Sequence, residues 1–598
     1  MPSAVGFRTL VLSLVSLALL STPLGSQECP EGEVTSLFID NRSIFRTSDM
    51  EPGTRFLWAY RLANRLHRRT KKDFIEKELL FRVGECLDSL RLAESARILR
   101  NYKFIGYSDI YPVPMPDGSH HVVVDTQDEW TTRVDLGIRF DGGLKIDGAE
   151  FTEENLLGRG LLVRVFFQED DEQRDLGAEF QTPRLMGTRW DARMSAGKTR
   201  SGDFFEEALA YPFVGEIGRL GARQTYTRRE TLFAYAVDGR SPFSHLLVPF
   251  LDKRADLAAG VRVGRPGNLT LFGLGVSRES LRFRRFPEDL EYVRSRNYSN
   301  TVPADSAGVA EVEGHVLDRN ATRINFFLGQ RNLRFVRRRG LDALQGIQDV
   351  AVGAEVTLAL GRALESLQKS GEVYPDDLHT QVSIFVGAAW ESWVLNGRLA
   401  TEARQVFAGE GRIGGWRDVF TEADGYLYWQ PGSTNHHTLF FRASATGGWS
   451  VDMPFQLTLG GSDALRGYRE NAFPGGRRVL FSLEDRSYLP WPAPDLFDFG
   501  FTVFADVGRM EGGGVPFGID SGWHSSAGAG IRFGLPPGTT NTARIDLALP
   551  ISSKTQLGDL ILRVHLHELL GILPGLRDTQ LLRSLRTGVK GDLISLPW

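Results

Sequence analysis

The feature that most limits what this chain can fold into is a period-two alternation whose polar member is repeatedly a charge or a glycine. Phe497, Phe499, Phe501, Val503, Ala505 and Val507 share one parity, and Asp498, Gly500, Thr502, Phe504, Asp506 and Gly508 share the other. The pattern returns with Ala527, Ala529, Ile531, Phe533 and Leu535 against Ser526, Gly528, Gly530, Arg532 and Gly534. It returns again with Ala543, Ile545, Leu547 and Leu549 against Arg544 and Asp546, and with Leu560, Leu562, Val564 and Leu566 against Asp559, Arg563, His565 and His567. Earlier segments obey it as well: Val134, Leu136, Ile138 and Phe140 against Arg133, Asp135 and Arg139, and Leu439, Phe441, Ala443 and Ala445 against Phe440, Arg442 and Ser444. Successive side chains on a strand point to opposite faces, so each segment carries one apolar face and one polar face. A soluble sandwich also alternates. The recurrence of charge and glycine on one face, behind an export segment, selects the membrane alternative.

That export segment is MPSAVGFRTLVLSLVSLALLSTPLGSQE. Arg8 supplies the positive start, Thr9 to Leu20 form a short apolar run, and small residues follow, the layout of a secretory signal peptide assigned to residues 1–26. The run is shorter than the ~20 residues a membrane helix needs, and no other segment approaches that length. Backbone groups crossing lipid must all be paired, which leaves a closed barrel. The mean hydropathy of −0.20 does not oppose this, because barrel strands give a weak averaged signal. The remaining length at about ten residues per strand plus loops accommodates roughly 14–18 strands, an even number being the rule for such barrels. The expected fold is mostly β: a transmembrane antiparallel barrel of about 16 strands over 128–570 behind a small α/β domain over 27–127. Residues 571–598 form a tail in which Leu576, Leu581, Leu582 and Leu585 with Arg577, Arg583 and Arg586 suit a short interfacial helix.

Between Glu33 and Thr126 the pattern reads strand, two helices, two strands. VTSLFI (Val34–Ile39) is β-branched and apolar, and Thr70 is placed as an N-cap ahead of a helix carrying Phe74, Ile75, Leu79 and Leu80, ended by Gly84. A second helix runs over roughly Leu90–Asn101, followed by two strands around the turn Met115–Gly118. Phe56–His67 is an additional amphipathic piece with no assigned role. The two cysteines, Cys29 and Cys86, lie in this domain. In an oxidising compartment they can pair, closing a loop worth about 4 kcal/mol of chain entropy; two independent thiols is the other reading.

The segment TKKDFIEKELLFRVGECLDSLRLAESARILRNYKFIGYSDI resembles a POTRA domain, the periplasmic module of outer-membrane assembly factors. The resemblance extends further. The loop GGSDALRGYRENAFPGG (Gly460–Gly476) presents Leu465-Arg466-Gly467-Tyr468, which resembles the Arg-Gly-aromatic loop tip of the BamA/TamA-type superfamily. In that family the loop folds into the barrel lumen and its arginine meets a glutamate and an F-x-D-x-G segment. The matching residues here are Glu484 and Phe504-Ala505-Asp506-Val507-Gly508, and parity places Glu484, Phe504 and Asp506 on the polar face. Gly530 and Arg532 in GIRF, Pro537-Gly538, and Arg544-Ile545-Asp546 resemble the family's closing motif, here with an expanded turn LPPGTTNT; NLLGRG (Asn155–Gly160) resembles its first hairpin. A guanidinium taken from water needs carboxylates for its N–H fork and accepts an aromatic face. The resemblance implies an outer-membrane location with the N-terminal domain in the periplasm. It also implies assistance to insertion or translocation of proteins, with lipid and extended client polypeptides meeting the POTRA sheet edge and a barrel seam as partners.

Net charge of −4 gives no reason to expect nucleic acid. No nucleophile elbow or zinc-helix motif occurs, AGKT at Ala196–Thr199 lacks the first glycine of a phosphate loop, and His565 with His567 beside Glu568 has no third ligand in view. No enzyme, metal or cofactor is expected. A two-partner secretion pore carries a plug helix before its POTRA domains, for which about ten residues ahead of the first strand leave no room. A passive channel or surface antigen with a vestigial POTRA domain is the other rival.

Overall fold

The structure is a computed structural model. It describes residues 29–566 except 46, 48–56, 141–143, 170–172, 238–241, 295, 297–298, 369–375, 409–413, 433–435 and 554. The expected signal peptide, His567, Glu568 and the 571–598 tail lie outside the described residues, as do the side chains of 135–147 and His565.

The N-terminal part folds as β1 (Val34–Arg42), α1 (Leu57–Leu66), α2 (Lys72–Glu78), α3 (Ser89–Asn101), β2 (Ile105–Pro114) and β3 (His120–Asp128). Its sheet has the order β1-β3-β2, with β1 parallel to β3 and β2 antiparallel to it. Phe74 and Ile75 of α2 and Leu92, Ala96 and Leu99 of α3 bury against Val34, Val122 and Val124, the alternate residues of the strands. Asp88 caps α3, its carboxylate accepting from the amides of Leu90 and Arg91. A disulfide joins Cys29 to Cys86.

Two local expectations are corrected here. Lys71, not Thr70, is the N-cap of α2, and no side chain caps it. Thr70 is instead held in place by its surroundings: its amide donates to Asp128, and its hydroxyl and carbonyl accept from Asn155 and Asn41. The helix also stops at Glu78, because Leu79 turns to an extended backbone and buries; Gly84, at φ +90°, serves a later turn.

From Thr132 to Leu566 the chain forms one large antiparallel sheet in which each strand pairs with the next. Its longest members are Leu220–Ala236, Phe243–Arg265, Asn268–Phe283, Arg319–Arg339 and Ile347–Ala363. Two excursions interrupt the meander. Residues 284–318 carry a short hairpin (Glu291–Arg294 with Thr301–Pro303) and α4 (Ser306–Val312), and residues 450–476 separate His437–Trp449 from Arg477–Leu489. Both emerge at the end opposite the N-terminal module. The module grips the other end through Arg100–Asp349 (2.9 Å), Arg184–Glu78 (2.6 Å) and the Glu216 amide on Glu94 (2.7 Å).

The sheet is apolar where a soluble sheet is polar. Val134, Leu483 and Val503 are more than half exposed, whereas Thr502, Asp506, Ser526, Arg532, Arg544 and Asp546 are essentially inaccessible. Buried charge is tolerated only when paired. Arg323 accordingly meets Glu279 and Asp377, Arg404 meets Asp377 and Asp418, and Arg223 meets Asp256. Among the described residues no helix is long and apolar enough to cross a membrane, a fact that bears on helices alone.

Candidate functional site: a loop latched to the polar face

The 450–476 excursion folds back over the polar face of the sheet. Its base is closed by a two-residue antiparallel pairing of Leu457–Thr458 with Pro474–Gly475. Phe455, Leu457, Leu459 and Leu465 bury against Leu480, Met510 and Val515, so the loop has its own apolar anchor. Amides of Leu459 and Gly460 donate to the Ala472 carbonyl, and the Tyr468 amide donates to Leu465, winding the tip into a compact turn.

That turn aims Arg466 at the sheet. Its Nε and Nη2 donate to the two oxygens of Asp506 at 2.9 and 2.6 Å, and Nη1 donates to Glu484 Oε1 at 2.5 Å. The guanidinium carbon lies 3.6 Å from the centre of the Phe504 ring. Register explains the convergence: Glu484 pairs with Phe504, and Ser482 with Asp506, on adjacent strands Arg477–Leu489 and Asp498–Glu511. Two carboxylates and one ring thus face the same point. Charge-assisted bidentate contacts of this kind are the strong members of the hydrogen-bond family, and the fork geometry makes the site specific for arginine over lysine.

The neighbours of the tip are placed with equal economy. A Cβ on Gly467 would lie 2.6 Å from the carbonyl group of Leu549 and 2.7 Å from Ser526 Cβ, so only glycine lets the loop approach this closely. Tyr468 packs edge-on to Phe473 and His524 at 5.3 and 5.4 Å. Leu465 is fully buried, and Gly508 faces Leu459. Of the closing-motif residues, Arg544 donates to Glu484 at 3.3 Å and forms an ion pair with Asp546 at 2.6 Å, while a Cβ on Gly530 would collide with Asp546. Arg532 points away from the latch and donates to the Asp342 carbonyl. Pro537 and Gly538 sit in the turn at the module end, where the Gly538 amide donates to Asp498 at 2.7 Å. Ala196–Lys198 belongs to the strand Asp191–Lys198, and no group of metal ligands occurs among the described residues.

Sequence reasoning missed four participants. Arg486 donates to Glu484 at 2.9 Å and to Asp342 at 2.9 Å, and it lies 4.1 Å from the Phe440 ring centre. Asp342 belongs to a hairpin, 340–346, that enters from the module end with Leu341, Ala343 and Leu344 buried; it also accepts from the Tyr428 hydroxyl. Ser526 donates to Asp506 at 3.3 Å. Arg563, on the strand Ile561–Leu566, donates to the carbonyls of Arg466 and Tyr468 and pairs with Glu470 at 2.6 Å. The parity of Arg486 and Arg563 was readable. The Gly340–Gly346 turn with its apolar residues was the one available sign of the inward hairpin.

Residues 416–566, which contain every latch residue named except Asp342, match the Omp85 superfamily domain. The chain carries an Omp85 superfamily domain. Members of that superfamily are bacterial outer-membrane proteins. No curated protein matches the chain. Solved structures similar to it include BamA from Haemophilus ducreyi lacking POTRA domains 1-3, at 13% identity and a TM-score of 0.34, covering 88% of this chain and 83% of that one. CdiB from Acinetobacter baumannii is similar at 9% identity and a TM-score of 0.38, over 89% and 73% of the two chains. CdiB from Escherichia coli is similar at 12% identity and a TM-score of 0.34, over 92% of each. Scores this low leave the functional reading of this protein to its own site.

Proposed function

We propose that this Omp85-type protein is a closed outer-membrane barrel that assists insertion, assembly or translocation of other polypeptides, with its N-terminal domain acting as a POTRA-like module in the periplasm. The observation that carries the reading is the Arg466 latch: an excursion from one barrel end, drawn inside and fixed to Glu484 and Asp506. A loop stored inside a closed wall blocks it, and one whose tip is pinned by side-chain contacts centred on Arg466 can be released without unfolding strands.

Closure is supported by the strand order, in which Ile561–Leu566 lies next to Thr132–Phe140, and by the apolar outward and charged inward faces. The meander then has twenty strands rather than about 16, an even number, because tight turns such as that between Arg265 and Asn268 leave room for more strands than the estimate allowed. The six-residue last strand pairs with Ala543–Pro550 over a short ladder, which suits a seam able to accept a client strand.

The test is folding of an unfolded barrel client in liposomes carrying the purified protein, wild type beside Arg466→Ala. Acceleration by wild type that changes in the variant supports the reading. No acceleration, with ion conductance that rises in the variant, replaces it with a secretion pore or passive channel whose module is vestigial.

A further inference from the structure

The helix without an assigned role, α1, has two apolar faces. One carries Leu57, Tyr60 and Ala63, which pack against Ile44, Phe45, Trp130 and Leu496. The other carries Trp58, Leu62 and Leu66, spaced i, i+4 and i+8, at 70%, 47% and 68% exposure. Arg61 and Arg65 flank this stripe, and Arg68 and Arg69 follow the helix; all four are exposed, with no carboxylate partner among the described residues. A water-facing helix gains nothing from this arrangement, since the inner face alone secures its packing.

We infer that α1 is an interfacial membrane helix, seating Trp58, Leu62 and Leu66 in the bilayer surface and presenting its arginines to anionic lipid headgroups. The inference rests on the membrane reading above. Position supports it. Leu496, under α1, belongs to the 490–497 turn at the module end of the sheet, and Trp491 in that turn is 68% exposed. The same end exposes Leu535 in the neighbouring 535–542 turn. Trp491, Leu535 and Trp58 are thus exposed apolar residues at one end of the sheet, which α1 meets at Leu496. Tryptophan prefers the interface, and arginine stems reach along apolar surface to keep their charge at headgroup level. With the module already tied to the rim by Glu78, Glu94 and Arg100, this helix supplies a further attachment and fixes the height of the module against the bilayer.

The test exploits the absence of free cysteines among the described residues, Cys29 and Cys86 being joined. Leu62→Cys carries an environment-sensitive fluorophore in the full chain reconstituted in liposomes, with Leu483→Cys as the lipid reference and Asp117→Cys, in an exposed turn, as the aqueous one. Acyl-chain quenchers are expected to reach the label at 62 as they reach 483 and not 117, more strongly with phosphatidylglycerol than with phosphatidylcholine alone. Arg61→Gln with Arg65→Gln is expected to lower the ratio of seated to unseated helix by about fivefold per arginine in the anionic membrane only. Quenching at 483 without quenching at 62 overturns this inference and leaves the barrel standing. Quenching at neither position overturns both. Exclusion of an aqueous quencher from 62 without lipid quenching places a protein, such as a second copy of the chain, on this face and also overturns it.

Discussion

Arg466→Ala is the perturbation that tests the latch most directly, and its effect can be worked from the partners left behind. Glu484 keeps Arg486 at 2.9 Å and Arg544 at 3.3 Å, so it remains compensated. Asp506 keeps the Ser526 hydroxyl at 3.3 Å and a loop amide at the same distance, with no guanidinium fork. Leaving one member of a buried pair alone costs about 3–5 kcal/mol. Much of that cost is relieved if the loop swings out and water reaches Asp506. The open population should therefore rise by roughly a hundredfold to a few thousandfold, at tenfold per 1.4 kcal/mol.

Limited trypsin digestion of the liposome-embedded protein reads this population, because cleavage follows the open fraction when the loop opens and closes faster than it is cut. The informative bond follows Arg469, on the exposed side of the tip. Arg466→Lys should be intermediate, since an ammonium keeps the charge but loses both the fork and the flat stacking of the guanidinium on the ring. Adding Asp506→Asn to Arg466→Ala should recover part of the protection by removing the stranded charge. Cleavage of Arg466→Ala at the wild-type rate, or no recovery in the double variant, would refute the reasoning.

Four further outcomes follow from the same geometry. Gly467→Ala should open the loop to a comparable degree in the digestion assay, because its Cβ meets backbone of Leu549 that cannot yield like a flexible side chain. Asp342→Asn combined with Arg466→Ala should be non-additive by about 0.5–3 kcal/mol in a double-mutant cycle, since both act on the Arg486–Glu484 pair. Cys29→Ser should destabilise the N-terminal module by up to about 4 kcal/mol in denaturant titration, with Cys86→Ser equivalent. Burial lifts the Glu129 carboxyl to about 7 even though Thr539, Thr540 and Asn541 donate to it. The folded state then holds a proton that the unfolded chain has lost, so the attachment weakens as pH rises from about 4.5 through about 7, by at most about 3 kcal/mol. Hydrogen exchange at the Thr540 amide should follow that window, and Glu129→Gln should flatten it.

What was legible in the sequence has a physical reason. Alternation fixes the face of every residue on a strand, so Glu484, Phe504 and Asp506 could be placed together from parity, once the resemblance of the Leu465–Tyr468 tip supplied their partner. Parity says nothing about backbone acceptors. Arg486 donates to the Leu341 carbonyl, Arg532 to that of Asp342 and Arg563 to that of Arg466, and a carbonyl has no signature in sequence. Thr70 was misread for a related cause: a Thr before a helix is a local signal, and it was overridden by Asp128 and Asn155, which reach it from far along the chain.

Burying charge on one face of a sheet also dictates how that face must be organised. Each guanidinium needs a carboxylate, and Glu484, Asp377 and Asp418 each meet more than one guanidinium, so many of the pairs fuse into networks. Two inward turns end on it from opposite sides. The 340–346 hairpin comes from the end gripped by the N-terminal module, its Asp342 lying seven residues before the Asp349 that binds Arg100, and through Asp342 it reaches Arg486. The 450–476 loop comes from the other end and reaches Glu484, to which Arg486 is bonded. Releasing Arg466 therefore alters the balance of charge seen by Arg486 and Asp342, whereas loosening the apolar anchor of the loop at Leu457 and Leu459 would not. The latch is set where the loop, through Arg466, and the 340–346 hairpin, through Asp342, meet at the Arg486–Glu484 pair, and that shared pair is the physical reason to expect the two ends to respond to each other.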